Sequence, residues 1–178
     1  MYQKLASGAG EEELFSAMPN DVGHPSDWAP DGGFLLVSSH EKTGYTIWAL
    51  SSKRNEKSFP VVKGRDGQFS PDGHWIAYQS NESGRLEVYV QAFPGPGGRK
   101  QISTNGGTQP RWRGRELFYV ALDGTLTATP ISLEENGSVV KPGTSTALFQ
   151  TRLVGADTVS RPQVNKQQSM SHGTANGS

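Results

Sequence analysis

Phe69-Ser70-Pro71-Asp72-Gly73-His74-Trp75-Ile76-Ala77-Tyr78 decides the fold. Pro71 presets φ at the first central turn position, Asp72 suits the second, and Gly73 supplies positive φ. Ser70 to Gly73 therefore reads as a type I turn closed by a glycine bulge, entering an apolar strand. The same phrase stands earlier as Ala29-Pro30-Asp31-Gly32-Gly33-Phe34-Leu35-Leu36-Val37, and Pro30 lies 41 residues before Pro71. Trp48 and Tyr89, in a later strand of each unit, are also 41 apart. A weaker copy, Arg111-Trp112-Arg113-Gly114-Arg115-Glu116-Leu117-Phe118-Tyr119, keeps the period, with Gly114 lying 41 residues after Gly73. It lacks the Pro-Asp pair, so a shorter turn is expected there. A fixed period near 40 built from short strands indicates propeller blades. One such sheet cannot bury both faces alone, so the units must stack.

Composition agrees. Of 178 residues, 33% are hydrophobic, 22 are glycine and 11 proline, the balance of short strands joined by many turns. Net charge is zero, with 17 basic and 17 acidic residues, so no long-range attraction to nucleic acid or anionic lipid is implied. Without cysteine, disulfides and thiolate metal sites are excluded. Aliphatic runs such as Phe34 to Val37 are too short to span a bilayer, and Met1 to Leu5 holds no secretory apolar region.

Each unit reads as four strands. The first covers about 24–63, with strands at His24–Ala29, Phe34–Ser39, Tyr45–Leu50 and Ser58–Val62. The second covers about 67–104, with strands at Gln68–Phe69, Trp75–Gln79, Leu86–Phe93 and Lys100–Ser103. The third covers about 108–150, with strands from Thr108, at Leu117–Ala121 and at Leu126–Ile131, and a less distinct end near Ala147-Leu148-Phe149. Residues 1–18 read as the last two strands of an earlier unit. The expected fold is thus all-β: a partial, open β-propeller of three four-stranded antiparallel blades plus half a blade, over 1–153. Residues 154–178, rich in Gln, Asn, Ser and Gly, read as a disordered polar tail. The second strand of each unit is apolar on both faces, as expected of a strand packed between two neighbours. Trp28, Phe69 and Trp112 recur just before each turn and are expected to anchor blade to blade.

Phe69 to Tyr78, followed by Glu87-Val88-Tyr89-Val90, resembles the TolB-type, WD-repeat-like β-propeller repeats of bacteria. Phe93-Pro94-Gly95-Pro96-Gly97-Gly98, Thr108-Gln109-Pro110-Arg111-Trp112 and Glu116-Leu117-Phe118-Tyr119 resemble a narrower group, the propeller fused behind the kinase domain of large bacterial serine/threonine protein kinases. The resemblance covers about 1–153. It implies a ring of six or more blades, of which this chain carries three and a half, and the chain therefore looks like a fragment. It also implies a place on the extracytoplasmic side of a membrane-anchored parent, or in the periplasm. Partners would be a protein, peptide or small ligand, and the missing blades or a second copy.

Catalytic chemistry has no visible carrier. A kinase needs a glycine-rich loop, a strand lysine and two functional aspartates; Gly64-Arg65-Asp66 lacks the downstream Asn and reads as an inter-blade turn. Gly95 to Lys100 lacks P-loop spacing and a following helix. No G-x-S-x-G turn marks a hydrolase. His24, His40, His74 and His172 are scattered, and Asp31, Asp66, Asp72 and Asp123 each precede glycine as turn residues, so no metal or other cofactor is expected. One surface follows from geometry. If Trp28, Phe69 and Trp112 point between blades, Asp27, Gln68 and Arg111 point to the central channel as binding candidates. The expected function is a non-catalytic binding module, the sensor or interaction part of a kinase-type receptor. Alternatives are an accessory propeller of a serine hydrolase and a periplasmic TolB-like scaffold.

Overall fold

A computed structural model of the chain describes residues 2–3, 7, 13–14, 23–53, 56–95, 97–134 and 139–152. Two short strands, β1 (Tyr2–Gln3) and β2 (Glu13–Leu14), pair antiparallel. Apart from Ser7, the remaining residues of the expected half blade, and the expected tail at 154–178, lie outside the described residues. Three antiparallel sheets follow. The first joins β3 (Gly23–Trp28), β4 (Phe34–Glu41), β5 (Gly44–Ser51) and β6 (Phe59–Lys63), in that order. The second joins β7 (Arg65–Phe69), β8 (Trp75–Ser80), β9 (Glu87–Ala92) and β10 (Lys100–Gln101). The third holds β11 (Thr108–Arg113), β12 (Glu116–Val120) and β13 (Thr125–Glu134). Its outer position is shared by β14 (Val139–Pro142) and β15 (Thr146–Gln150), which pair with opposite halves of β13. The sheets do not close on one another, and among the described residues there is no helix.

The turns form as their residues dictate. Gly32 and Gly73 stand at φ 71° and 74°. Each donates its amide to the residue three earlier, Ala29 at 2.8 Å and Ser70 at 2.9 Å. Asp31 and Asp72 cap their own turns, accepting the amides of Gly33 at 2.8 Å and His74 at 3.1 Å. Where the third copy lacks Pro-Asp, Arg113 pairs directly with Glu116 across Gly114-Arg115, the shorter turn its sequence requires.

Two interiors separate the three sheets. Leu36, Ile47 and Ala49 of the first meet Phe69, Ile76, Tyr78 and Tyr89 of the second. Trp75, Ala77, Val88 and Val90, on the other face of the second, meet Leu117, Tyr119 and Ile131 of the third. Every residue of β8 is buried, because alternate side chains serve different interiors. Burying a side chain such as Ile76 or Val90 contributes about 1.5–3 kcal/mol.

The repeated aromatic anchors divide. Phe69 is buried against the first sheet, and Trp112 is half-buried against the second. Trp28 departs from expectation and is 49% exposed. It pairs with Leu35, opposite in pleat to Leu36, so it lies on the face of the first sheet turned away from the second. Phe69 and Trp112 each point back to a preceding sheet, whereas the positions before Trp28's sheet lie largely outside the described residues.

Candidate functional site

Asp27, Gln68 and Arg111 occupy one register in three successive first strands, opposite Leu36, Ala77 and Phe118. In each sheet the ladder shifts just before this position, between Pro25 and Asp27, Arg65 and Gln68, and Thr108 and Arg111. Asp27 and Gln68 are half-buried and Arg111 is exposed. The row is therefore polar and partly wetted, but its members differ in role. Asp27 accepts the backbone amide of Phe69 at 2.9 Å, tying the first sheet to the second. Burial pushes the Asp27 carboxyl above its ordinary range, against the pull of the Phe69 and Trp28 amides and the Arg111 charge. Arg111 donates from Nη1 to the carbonyl of Pro110 at 2.8 Å.

The register shifts carry a second set of ties. Asp66 and Gln109 sit at φ 55° and 52°, a left-handed backbone that side-chain-bearing residues seldom adopt. This turns each amide out of its own ladder. The Asp66 amide donates to Ser38 Oγ at 3.1 Å and the Gln109 amide to Gln79 Oε1 at 2.7 Å. Ser38 and Gln79 are equivalent positions, 41 residues apart on the second strands. Sequence reading assigned them no role; the signal was a polar residue directly after the four-residue apolar run of each second strand.

Glu87 was missed in the same way. It is 1% exposed at the start of β9. Its carboxylate accepts Arg85 Nε at 2.7 Å, the Gly106 amide at 3.0 Å and the Ser103 hydroxyl. This fastens the second sheet to the segment that leads into the third. Nearby polarity is also structural at Tyr78, whose hydroxyl meets Gln91 Oε1 at 3.3 Å. Burial pushes the Tyr78 phenol up to about 12.

Two clefts open between the first and second sheets, at opposite edges. The smaller, about 290 Å³, lies among the Pro-Asp-Gly turns and is floored by Phe34 and Phe93. The larger, about 720 Å³, lies where β6 passes into β7 and includes Tyr45, Lys63, Arg65 and Leu86. Among the described residues no three His, Asp or Glu side chains converge on a possible metal position.

No protein-family model matches the chain. The Tol-Pal system protein TolB of Anaeromyxobacter dehalogenans strain 2CP-1 is 32% identical over 80 residues, covering 43% of this chain and 18% of that protein. The corresponding protein of Anaeromyxobacter sp. strain K matches equally, at 32% over 80 residues. The chain thus spans less than a fifth of the length of the curated relatives it matches. Among solved structures, a putative TolB from Agrobacterium tumefaciens superposes with a TM-score of 0.59 at 17% identity, over 80% of this chain and 56% of that one. TolB from Acinetobacter baumannii gives a TM-score of 0.57 at 18% identity, over 83% and 38%. The fold is that of a TolB-like β-propeller, present here as an open arc.

Proposed function

We propose that this chain is a non-catalytic binding module, an arc of propeller that holds a protein, peptide or small ligand. Its parent would be a bacterial serine/threonine kinase-type receptor, in which the arc serves as sensor. The observation that carries the reading is the register row of Asp27, Gln68 and Arg111 on sheets tied rigidly side to side. Ties from Ser38 and Gln79 fix the spacing of the sheets, so polar groups at one register are held at constant separation. Gln68 and Arg111 supply neutral and cationic hydrogen-bond donors. Asp27, engaged with Phe69, positions the row.

Selection of a random peptide library on the purified chain tests this. Peptides are expected to be enriched whose binding is lost in the Gln68→Ala/Arg111→Gln double variant. Enrichment that survives the double variant, or no enrichment, overturns the site. ATP turnover by the chain that a point substitution abolishes overturns the class.

A second reading, a periplasmic scaffold, is favoured by the 32% identity to Tol-Pal system proteins. The parent reading frame separates the two. A kinase domain and membrane span upstream support the receptor, and a secretory leader directly upstream supports the scaffold.

A further inference from the structure

The geometry points to a second binding site, in the 720 Å³ cleft between the first two sheets, for an organic anion carrying an apolar body. The volume lies within the range of about 300–1,000 Å³ common to small-molecule sites. Two cations, Lys63 and Arg65, line it on either side of Gly64, and no acidic side chain is part of its wall. Their acidic neighbours stand outside that wall. Lys63 Nζ meets Glu41 Oε2 at 2.6 Å, and Arg65 Nε lies 3.9 Å from Asp66 Oδ2. The ammonium also donates to Thr46 Oγ1 at 2.9 Å, and with the Lys63 side chain 63% exposed it keeps a third N–H open to an entering anion, which shares it with Glu41.

Arg65 is oriented by packing. Its guanidinium lies over the Tyr45 ring, 5.2 Å from the centroid, which holds the charge at the cleft wall. His40 meets the same ring edge-on with centroids 4.9 Å apart, so the ring is held from a second direction. Tyr45 and Leu86 give the cleft its apolar surface, and Ser80 and Asn81 add neutral hydrogen-bonding groups. The backbone at Gly64 approaches the second sheet so closely that a methyl group there would lie 2.6 Å from the Gln79 carbonyl oxygen. The two cations are thus carried on a segment pressed against its neighbour. Carboxylates and phosphates share the required chemistry, a compact anion for Lys63 and Arg65 with a hydrocarbon part on Tyr45 and Leu86. None of Asp27, Gln68 and Arg111 lines this cleft.

Amide chemical shifts of the isotopically labelled chain, titrated with hydrocinnamate, phenyl phosphate and neutral hydrocinnamide, test the site. At least one anion is expected to shift the Gly44 and Gly64 amides saturably, and to bind at least about tenfold more tightly than the neutral amide. Preference between the two anions identifies carboxylate or phosphate as the natural group. Lys63→Gln and Arg65→Gln are each expected to weaken the anion, and exposed Lys63 keeps the test valid if the Arg65 variant does not fold. The Gln68→Ala/Arg111→Gln variant is expected to titrate unchanged, which separates this site from the register row. Equal binding of the neutral amide, perturbation elsewhere on the chain, or no saturation at millimolar probe overturns it.

Discussion

The backbone amide of Gln109 donates to Oε1 of Gln79 at 2.7 Å, crossing from the third sheet to the second. Gln79 is 1% exposed, so its side chain depends on protein partners, while Gln109 itself is exposed. The Asp66 amide and Ser38 repeat the relationship one sheet earlier, at 3.1 Å. A left-handed residue at the ladder shift thus has a structural purpose. It takes an amide from its own sheet and offers it to the preceding one.

Replacing Gln79 with leucine fills the same space but removes the acceptor. The Gln109 amide then loses its partner at a part-buried position, which costs about 0.5–1.5 kcal/mol. Urea unfolding of Gln79→Leu against the parent chain measures this. A change below a few tenths of a kcal/mol, read as an unmoved midpoint, would show that the tie contributes nothing.

The sheets were legible in the sequence because turn chemistry and apolar strands repeat together. Phe34–Val37 and Trp75–Tyr78 follow the same Pro-Asp-Gly turn, and both form second strands of four-stranded sheets. The ties were not legible, because they join residues that no local pattern relates. Ser38 and Gln79 differ in type and serve the same position, so a motif search passes over them. Glu87 alternates with the apolar Leu86 and Val88, which gives no local sign of burial, yet the neighbouring linker folds over it and buries it. Strand β14 escaped notice because Val139-Val140 is a brief apolar pair, and because β13 continues past the point where its first partner ends. For the candidate site, the register of Asp27 and Gln68 followed from the period of 41, and that of Arg111, 43 residues beyond Gln68, from its place just before the shorter third turn. The engagement of Asp27 with Phe69 required the third dimension.

Glu87→Ala is expected to be among the most damaging single changes. It strips partners from the buried Ser103 hydroxyl and the Gly106 amide and leaves Arg85 without its 2.7 Å contact. Arg85 is half-exposed and returns to water, so the loss comes from the Gly106 amide and the Ser103 hydroxyl, at about 1–3 kcal/mol for each buried group left unsatisfied. Far-UV circular dichroism with thermal melting reports it, and a melting temperature within error of the parent would refute the assignment of Glu87 as a structural hub. Glu87→Gln retains an acceptor for Gly106 and is expected to be milder.

Gly64→Ala and Gly44→Ala form a matched pair. Both glycines have positive φ, 155° and 124°. An added methyl at Gly44 meets nothing within 4 Å, so only backbone strain of about 1–3 kcal/mol is expected. At Gly64 it would lie 2.6 Å from the Gln79 carbonyl oxygen and 2.8 Å from Tyr78 Cδ2, one of them backbone and the other a ring buried in the core. The first and second sheets must then part locally. Gly64→Ala is expected to destabilise clearly more than Gly44→Ala in parallel urea unfolding. Equal losses would mean that the close approach at Gly64 is relaxed without cost.

Tyr78 gives the chain a stability dependence at high pH. Its phenol rises from 10.0 to about 12 because burial disfavours the phenolate. A group raised on folding stabilises fully below its unfolded value, here pH 10, and that contribution is lost as pH climbs through the folded value of about 12. Tyr78→Phe cannot ionise at this position. Near neutral pH the variant is expected to be slightly less stable, having lost the 3.3 Å contact with Gln91. As pH rises past 10 the parent chain should lose stability relative to the variant, so the gap between them narrows. Urea unfolding of both proteins across this range, with tyrosinate absorbance followed in parallel, supplies the measurement. A gap that stays constant as tyrosinate forms would place the Tyr78 hydroxyl in water, and with it an opening in the interior that Tyr78 shares with Leu36 and Ile47.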